Sequence, residues 1–121
     1  MARYLVDTNV ILRLLVGDNE DQKNQALKWF DEARRGEKVV ILPTIVVAEV
    51  VFVLESFYQK QPLEIASILK DLISNLWIEV PDRDVLLKIW FHYIQGLHFV
   101  DSFLIAYSHT QAVGVLSFDK Q

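Results

Sequence analysis

The chain has 121 residues, a length that suits one domain of common size. Its 52% hydrophobic content supports a full core, and the absence of cysteine excludes disulfides and Cys-based zinc sites. Sixteen acids against twelve bases give a net charge of −4, which argues against a broad basic face that grips phosphates by counterion release alone.

In chain order, Arg3 to Val6 reads as a short buried strand stopped by Asp7-Thr8-Asn9. Val10 to Val16 reads as a short apolar helix ended by Gly17-Asp18. Asp21 to Arg35 has helical periodicity, with Ala26, Leu27, Phe30 and Ala33 on one side and Gly36 closing it. Lys38 to Leu42 is a compact β-branched run, read as a strand. Ile45 to Leu54 is ambiguous: its β-branched content favours a strand, while its length and the preceding Pro43 allow a buried helix. Pro62 to Asn75 is a clearer helix, with Ile65, Ile68, Leu69, Leu72 and Ile73 in register. Trp77 to Val80 reads as a strand, and Asp82 to Ile94 as a helix facing inward through Val85, Leu86, Ile89 and Tyr93. Phe99 to Ala112 reads as a helix with Val100, Phe103, Leu104 and Tyr107 at helical spacing, followed by a final strand over Val113 to Phe118.

Short apolar strands alternating with helices indicate an α/β sandwich around a mainly parallel sheet, here one domain over residues 1–121. Ligands bind such sheets at the carboxyl ends of the strands. The longest apolar stretches are interrupted by Glu49 or are too short to span a bilayer. Asp7 also breaks the first apolar run, so nothing at the N-terminus resembles a signal peptide. The expected location is the cytoplasm, with no membrane partner.

Four carboxylates stand out: Asp7, Glu49, Asp101 and Asp119 each lie in or beside a strongly apolar run. Acids rarely go inside unless they are paired or bind a metal, and no Lys or Arg is equally placed. The set therefore asks for a divalent cation and points towards phosphate chemistry. Asp7 and Asp119 both follow apolar strands, so their carboxylates meet at one edge if those strands are neighbours. Each acid also has a plain structural reading. Asp7-Thr8-Asn9 is equally a helix N-cap, Asp101 suits a first helical turn, and Asp119 suits a solvated turn. Glu49 is the hardest to explain that way, because Ala48 and Phe52 beside it suggest burial at the inner edge of a helix.

Four segments together resemble the PIN-domain ribonucleases, in particular the VapC-like toxins of prokaryotic toxin–antitoxin systems. They are Tyr4-Leu5-Val6-Asp7-Thr8-Asn9-Val10-Ile11-Leu12, Pro43-Thr44-Ile45-Val46-Val47-Ala48-Glu49-Val50, Phe99-Val100-Asp101-Ser102-Phe103-Leu104-Ile105-Ala106, and Ser117-Phe118-Asp119. The resemblance implies a three-layer α/β/α sandwich in which the four acids gather around one or two Mg²⁺ or Mn²⁺ ions. Asp7, Asp101 and Asp119 would be ligands. Glu49, placed on a helix, would ligate a second ion or hold a water. Thr8 and Asn9 would orient Asp7 or a water by hydrogen bonds, and Ser117 matches a small hydroxyl residue two before the last acid. Family members commonly run on past the last acid to a closing strand, whereas this sequence stops at Gln121.

The activity implied is metal-dependent endoribonucleolytic hydrolysis of RNA, the work of a toxin. Homodimerisation through Phe52, Phe57 and Tyr58 and cover by a basic antitoxin accompany that reading, and a catalytically inactive PIN scaffold is the alternative. Trp29, Trp77 and Trp90 read as core or interface rather than base-stacking platforms, and Arg13, near Asp7 in sequence, reads as a solvated charge with a phosphate contact as the alternative. The three histidines are weak candidates, with only His98 placed to approach substrate.

Overall fold

A computed structural model describes residues 1–118 of the chain. The order is β1 (Arg3–Leu5), α1 (Thr8–Val16), α2 (Glu20–Arg34), β2 (Val39–Ile41), α3 (Thr44–Ser56), α4 (Pro62–Ile73) and β3 (Ile78–Glu79). Two short helices follow, α5 (Arg83–Leu86) and α6 (Trp90–Tyr93), and then α7 (Phe99–Gln111). The strands form a parallel sheet in the order β1-β2-β3, with Arg3 opposite Val39 and Val40 opposite Ile78. Helices cover the sheet in a three-layer α/β/α arrangement, as expected.

Local chemistry sets the element ends. The Asp7 side chain accepts from the Val10 amide at 3.0 Å and caps α1, and Asn19 caps α2 through the Gln22 amide. Gly17 ends α1 in the left-handed region, where a Cβ would also lie 2.8 Å from the Lys23 ammonium. The ambiguous segment is a helix. Val47, Val50, Val51 and Leu54 are spaced for one helical face, and all four are buried. Burial of that stripe in the common core outweighs the β preference of its valines.

Four sequence expectations change. The strand expected to be buried over Arg3 to Val6 is exposed over Arg3–Leu5, with Leu5 74% exposed and only Val6 buried. The helix expected over Asp82 to Ile94 is two short helices, α5 and α6, separated by a turn in which the Lys88 amide bonds to the Val85 carbonyl. The tightened turn lets Val85, Leu86, Ile89, Trp90 and Tyr93 all enter the core. On α7 the inward face is Phe99, Ser102 and Ala106, while Val100, Leu104 and Tyr107 are exposed and Phe103 is half-buried. The strand expected over Val113 to Phe118 does not form in the described structure. Ala112 turns α7 off in the left-handed region. The Val113 amide then bonds to the Ser108 carbonyl, and the Ser108 hydroxyl donates to the Val113 carbonyl. The backbone here folds back on the helix end instead of joining a sheet ladder. No described helix is long and apolar enough to cross a membrane.

Candidate functional site

The parallel sheet delivers Asp7 just beyond the carboxyl end of β1, where the fold class places ligands. The capping reading of Asp7 is realised: Oδ1 accepts from the Val10 amide. Its second oxygen accepts no hydrogen bond among the described residues, and the side chain is exposed. Capping therefore occupies half of the carboxylate and leaves the other half available.

Glu49 lies on α3, as the resemblance implies, but it is exposed rather than buried. Ile45, Glu49 and Phe52 share the outer face of α3, with Ile45 78% and Phe52 64% exposed. Apolar neighbours in sequence were thus neighbours on a solvent face. The Thr8 hydroxyl donates to Glu49 Oε1, joining the first residue of α1 to the middle of α3. Asp7, Thr8, Asn9, Ile45 and Glu49 line one open cleft of about 590 Å³. Neither acid has a Lys or Arg partner among the described residues.

Asp101 does not line this cleft. It lies in the first turn of α7, half-buried, with no hydrogen bond or ion pair among the described residues. With Ser108, His109, Val115 and Ser117 it lines a separate cavity of about 240 Å³. Asp7 and Glu49 thus line one cavity, and Asp101 and Ser117 another. Asp119, two positions beyond Ser117, lies outside the described residues. Among those described, no three or more His, Cys, Asp or Glu side chains gather closely enough to hold a metal ion. His98 is exposed at the start of α7, and His92 packs edge-on to Phe91.

The Asp7–Glu49 cleft still fits a hard divalent ion. Its side-chain donors are oxygens, and Mg²⁺ is commonly held by one or two carboxylates with waters and substrate phosphates filling the remaining positions.

Sequence reasoning placed Arg13 near Asp7 but missed the polar group around it. Arg13, Gln22, Gln25 and Trp29 line a cleft of about 200 Å³ between α1 and α2 that also reaches Asp7 and Asn9. Arg13 Nε donates to Gln22 Oε1 at 2.6 Å, and its Nη1 lies 3.5 Å from Asp18. Gln22, Gln25 and Trp29 recur at helical spacing on α2, a signal present in the sequence but carried by polar residues. Trp29 is also no core residue: it is 40% exposed, while Trp90 is buried and Trp77 packs edge-on to Phe30.

No curated protein and no solved structure is significantly similar to the chain. The sequence model of the PIN domain matches residues 4–121, nearly the entire length. The chain accordingly belongs to the PIN domain family.

Proposed function

We propose that residues 1–121 form one PIN unit that acts as a metal-dependent endoribonuclease, the toxin of a toxin–antitoxin pair. PIN domains are generally nucleases and usually use divalent metals. The observation that carries the reading is the open cleft holding Asp7 and Glu49 at the sheet's carboxyl end with no cationic partner among the described residues. Asp7 and Glu49 would hold Mg²⁺ or Mn²⁺, with Asp101 and Asp119 completing the set and Ser117 beside Asp101.

The bound ion supplies an activated water and neutralises charge that builds on the phosphate. The chain's own residues arrange the site. The Thr8 hydroxyl donates to Glu49 Oε1 and leaves Oε2 without a hydrogen bond among the described residues. The Val10 amide donates to Asp7 Oδ1 and leaves Oδ2 without one among them. Asn9, exposed at the same rim, offers an amide to a water or phosphate oxygen. In the hydrolysis, water oxygen bonds phosphorus, the P–O3′ bond breaks, and the 3′ oxygen takes a proton. The products carry a 5′-phosphate and a 3′-hydroxyl.

The toxin assignment includes a cytoplasmic homodimer and a basic antitoxin over the acidic cleft. Exposed Phe52 and Phe57 on and after α3 support an apolar pairing face, while Tyr58 is held by Asp18. A second reading, an inactive PIN scaffold, draws on Asp101 lining a cavity other than the Asp7–Glu49 cleft. The test is incubation of wild type and Asp101→Asn with structured and single-stranded RNA in Mg²⁺, Mn²⁺ or EDTA. Cleavage by wild type alone, abolished by EDTA, is expected. No cleavage under any metal supports the scaffold, and equal cleavage by both proteins removes Asp101 from the site.

A further inference from the structure

We propose that Trp29 is a stacking platform for a nucleobase of single-stranded RNA and seats the strand against Asp7. The inference rests on the nuclease reading and adds to it the residue that holds the substrate.

The position of Trp29 is the first ground. Its indole walls two clefts, one of about 200 Å³ and one of about 420 Å³, and Asp7 lines both. A base resting on Trp29 therefore lies in a cleft that Asp7 also lines. Packing is the second ground. Helix α2 fills its inward face with Ala26, Phe30 and Ala33, so the core does not require Trp29. The third ground is the polar wall of the smaller cleft. Arg13 presents a guanidinium beside Gln22, and the Gln25 and Asn9 side-chain amides make no hydrogen bond among the described residues. Amides serve base edges, and a guanidinium serves a phosphate or a base face. Charge is the last ground. With a net charge of −4 the chain cannot rely on counterion release for affinity. Base stacking on an aromatic side chain supplies affinity that needs no positive field.

The test measures binding of a 5′-labelled single-stranded oligoribonucleotide of about 12 nucleotides, in EDTA, by fluorescence anisotropy. The same backbone carrying abasic positions is the control. Wild type should prefer the base-bearing strand. Trp29→Leu and Trp29→Gln should each weaken that strand roughly 5- to 100-fold and leave the abasic strand unchanged, while Trp29→Tyr stays within about threefold. Two substitutions on an exposed helical position guard against one failing to fold, and thermal melts identify which is intact. Equal affinity of wild type and a folded Trp29 variant for the base-bearing strand, with metal-dependent cleavage persisting, overturns the stacking role alone. So does equal loss on both strands. Absence of RNA binding and cleavage in wild type overturns this role and the nuclease reading together, and binding by Trp29 to a protein partner would then be the remaining use of the exposed indole.

Discussion

Asp7 can be a helix cap, a metal ligand or both, and two substitutions separate these roles. Asp7→Ala removes the acceptor that holds the Val10 amide at 3.0 Å, a loss of about 1 kcal/mol. It also removes an acid from the positive end of α1, a further ~0.3–1 kcal/mol. In a chain of this size each kcal/mol shifts the melting temperature by roughly 3–6 °C, so Asp7→Ala should melt about 5–9 °C below wild type in EDTA. Asp7→Asn keeps an equally good cap and loses only the charge, so its melt should fall by about 1–6 °C, less than that of Asp7→Ala. Function should order the variants differently. A divalent ion at 100 times its dissociation constant adds about 2.7 kcal/mol to the folded state, roughly 10 °C here. Wild type should show such a rise with Mg²⁺, and both variants should lose it together with cleavage. Differential scanning fluorimetry in EDTA and in Mg²⁺, paired with a gel assay of RNA cleavage, reads all of these quantities. An Asp7→Asn protein that still cleaves and still gains stability from Mg²⁺ would show that Asp7 is a cap and nothing more.

Thr8→Val removes the hydrogen bond to Glu49 and should lower cleavage by about 10–100-fold while the fold stays intact, since outer partners of metal ligands have effects of that size; unaltered kinetics would show that Glu49 needs no anchor. Arg83 is the clearest purely structural test. Its guanidinium donates to the carbonyls of Ile73 and Asn75, each at 2.9 Å, and to that of Ile78. Arg83→Ala leaves these partly buried acceptors without their donor and should cost about 3 kcal/mol in urea unfolding; a cost under about 1 kcal/mol would mean that water replaces the side chain. Tyr93 is buried and donates to Glu55, and burial first, then that bond, pushes its hydroxyl well above the ordinary tyrosine value. The neutral ring is therefore the folded form, so this stabilisation is whole below about pH 10 and is lost as the pH rises through the folded value. Tyr93→Phe should flatten the alkaline decline of stability, and parallel curves for the two proteins above about pH 10 would contradict it. Mg²⁺ affinity should rise when RNA is present, because substrate phosphates supply oxygens that two carboxylates lack; isothermal titrations giving the same affinity with and without RNA would refute that coupling.

The fold was legible because period and punctuation agree along most of the chain. Ile65, Ala66, Leu69, Leu72 and Ile73 of α4 are buried at helical spacing after Pro62, and β1, β2 and β3 fall within the short apolar runs that suggested them. Helix α3 was not decidable locally: its valines favour a strand, and only the shared core on its inner face makes it helical. Helix α7 misleads in the opposite sense. Its larger apolar residues Val100, Leu104 and Tyr107 face out, while Ser102 and Ala106 face in beside α5, α6 and α3. Small side chains allow the close helix approach there, and a count of hydrophobicity ranks them below the residues they displace.

The acids show how one step of a sequence argument can fail on its own. Acids embedded in apolar runs suggested buried carboxylates, and burial suggested a cation. In the structure Asp7 and Glu49 are exposed: Asp7 caps α1 at the surface, and Glu49 shares the outer face of α3 with Ile45 and Phe52 while its neighbour Val50 turns into the core. Exposure changes the energetics of metal binding more than its plausibility. A buried unpaired cluster would suffer desolvation and mutual repulsion in the metal-free chain, so folding and metal loading would be one event. Two solvated carboxylates on the ends of α1 and the middle of α3 fold without an ion, because α1 is already capped and α3 is already buried on its other face. Under the proposed reading, two solvated carboxylates would hold a divalent ion weakly, and substrate phosphates would supply the missing oxygens. The proposed chemistry would then assemble only when phosphate, ion and acids meet in the cleft between Asp7 and Glu49.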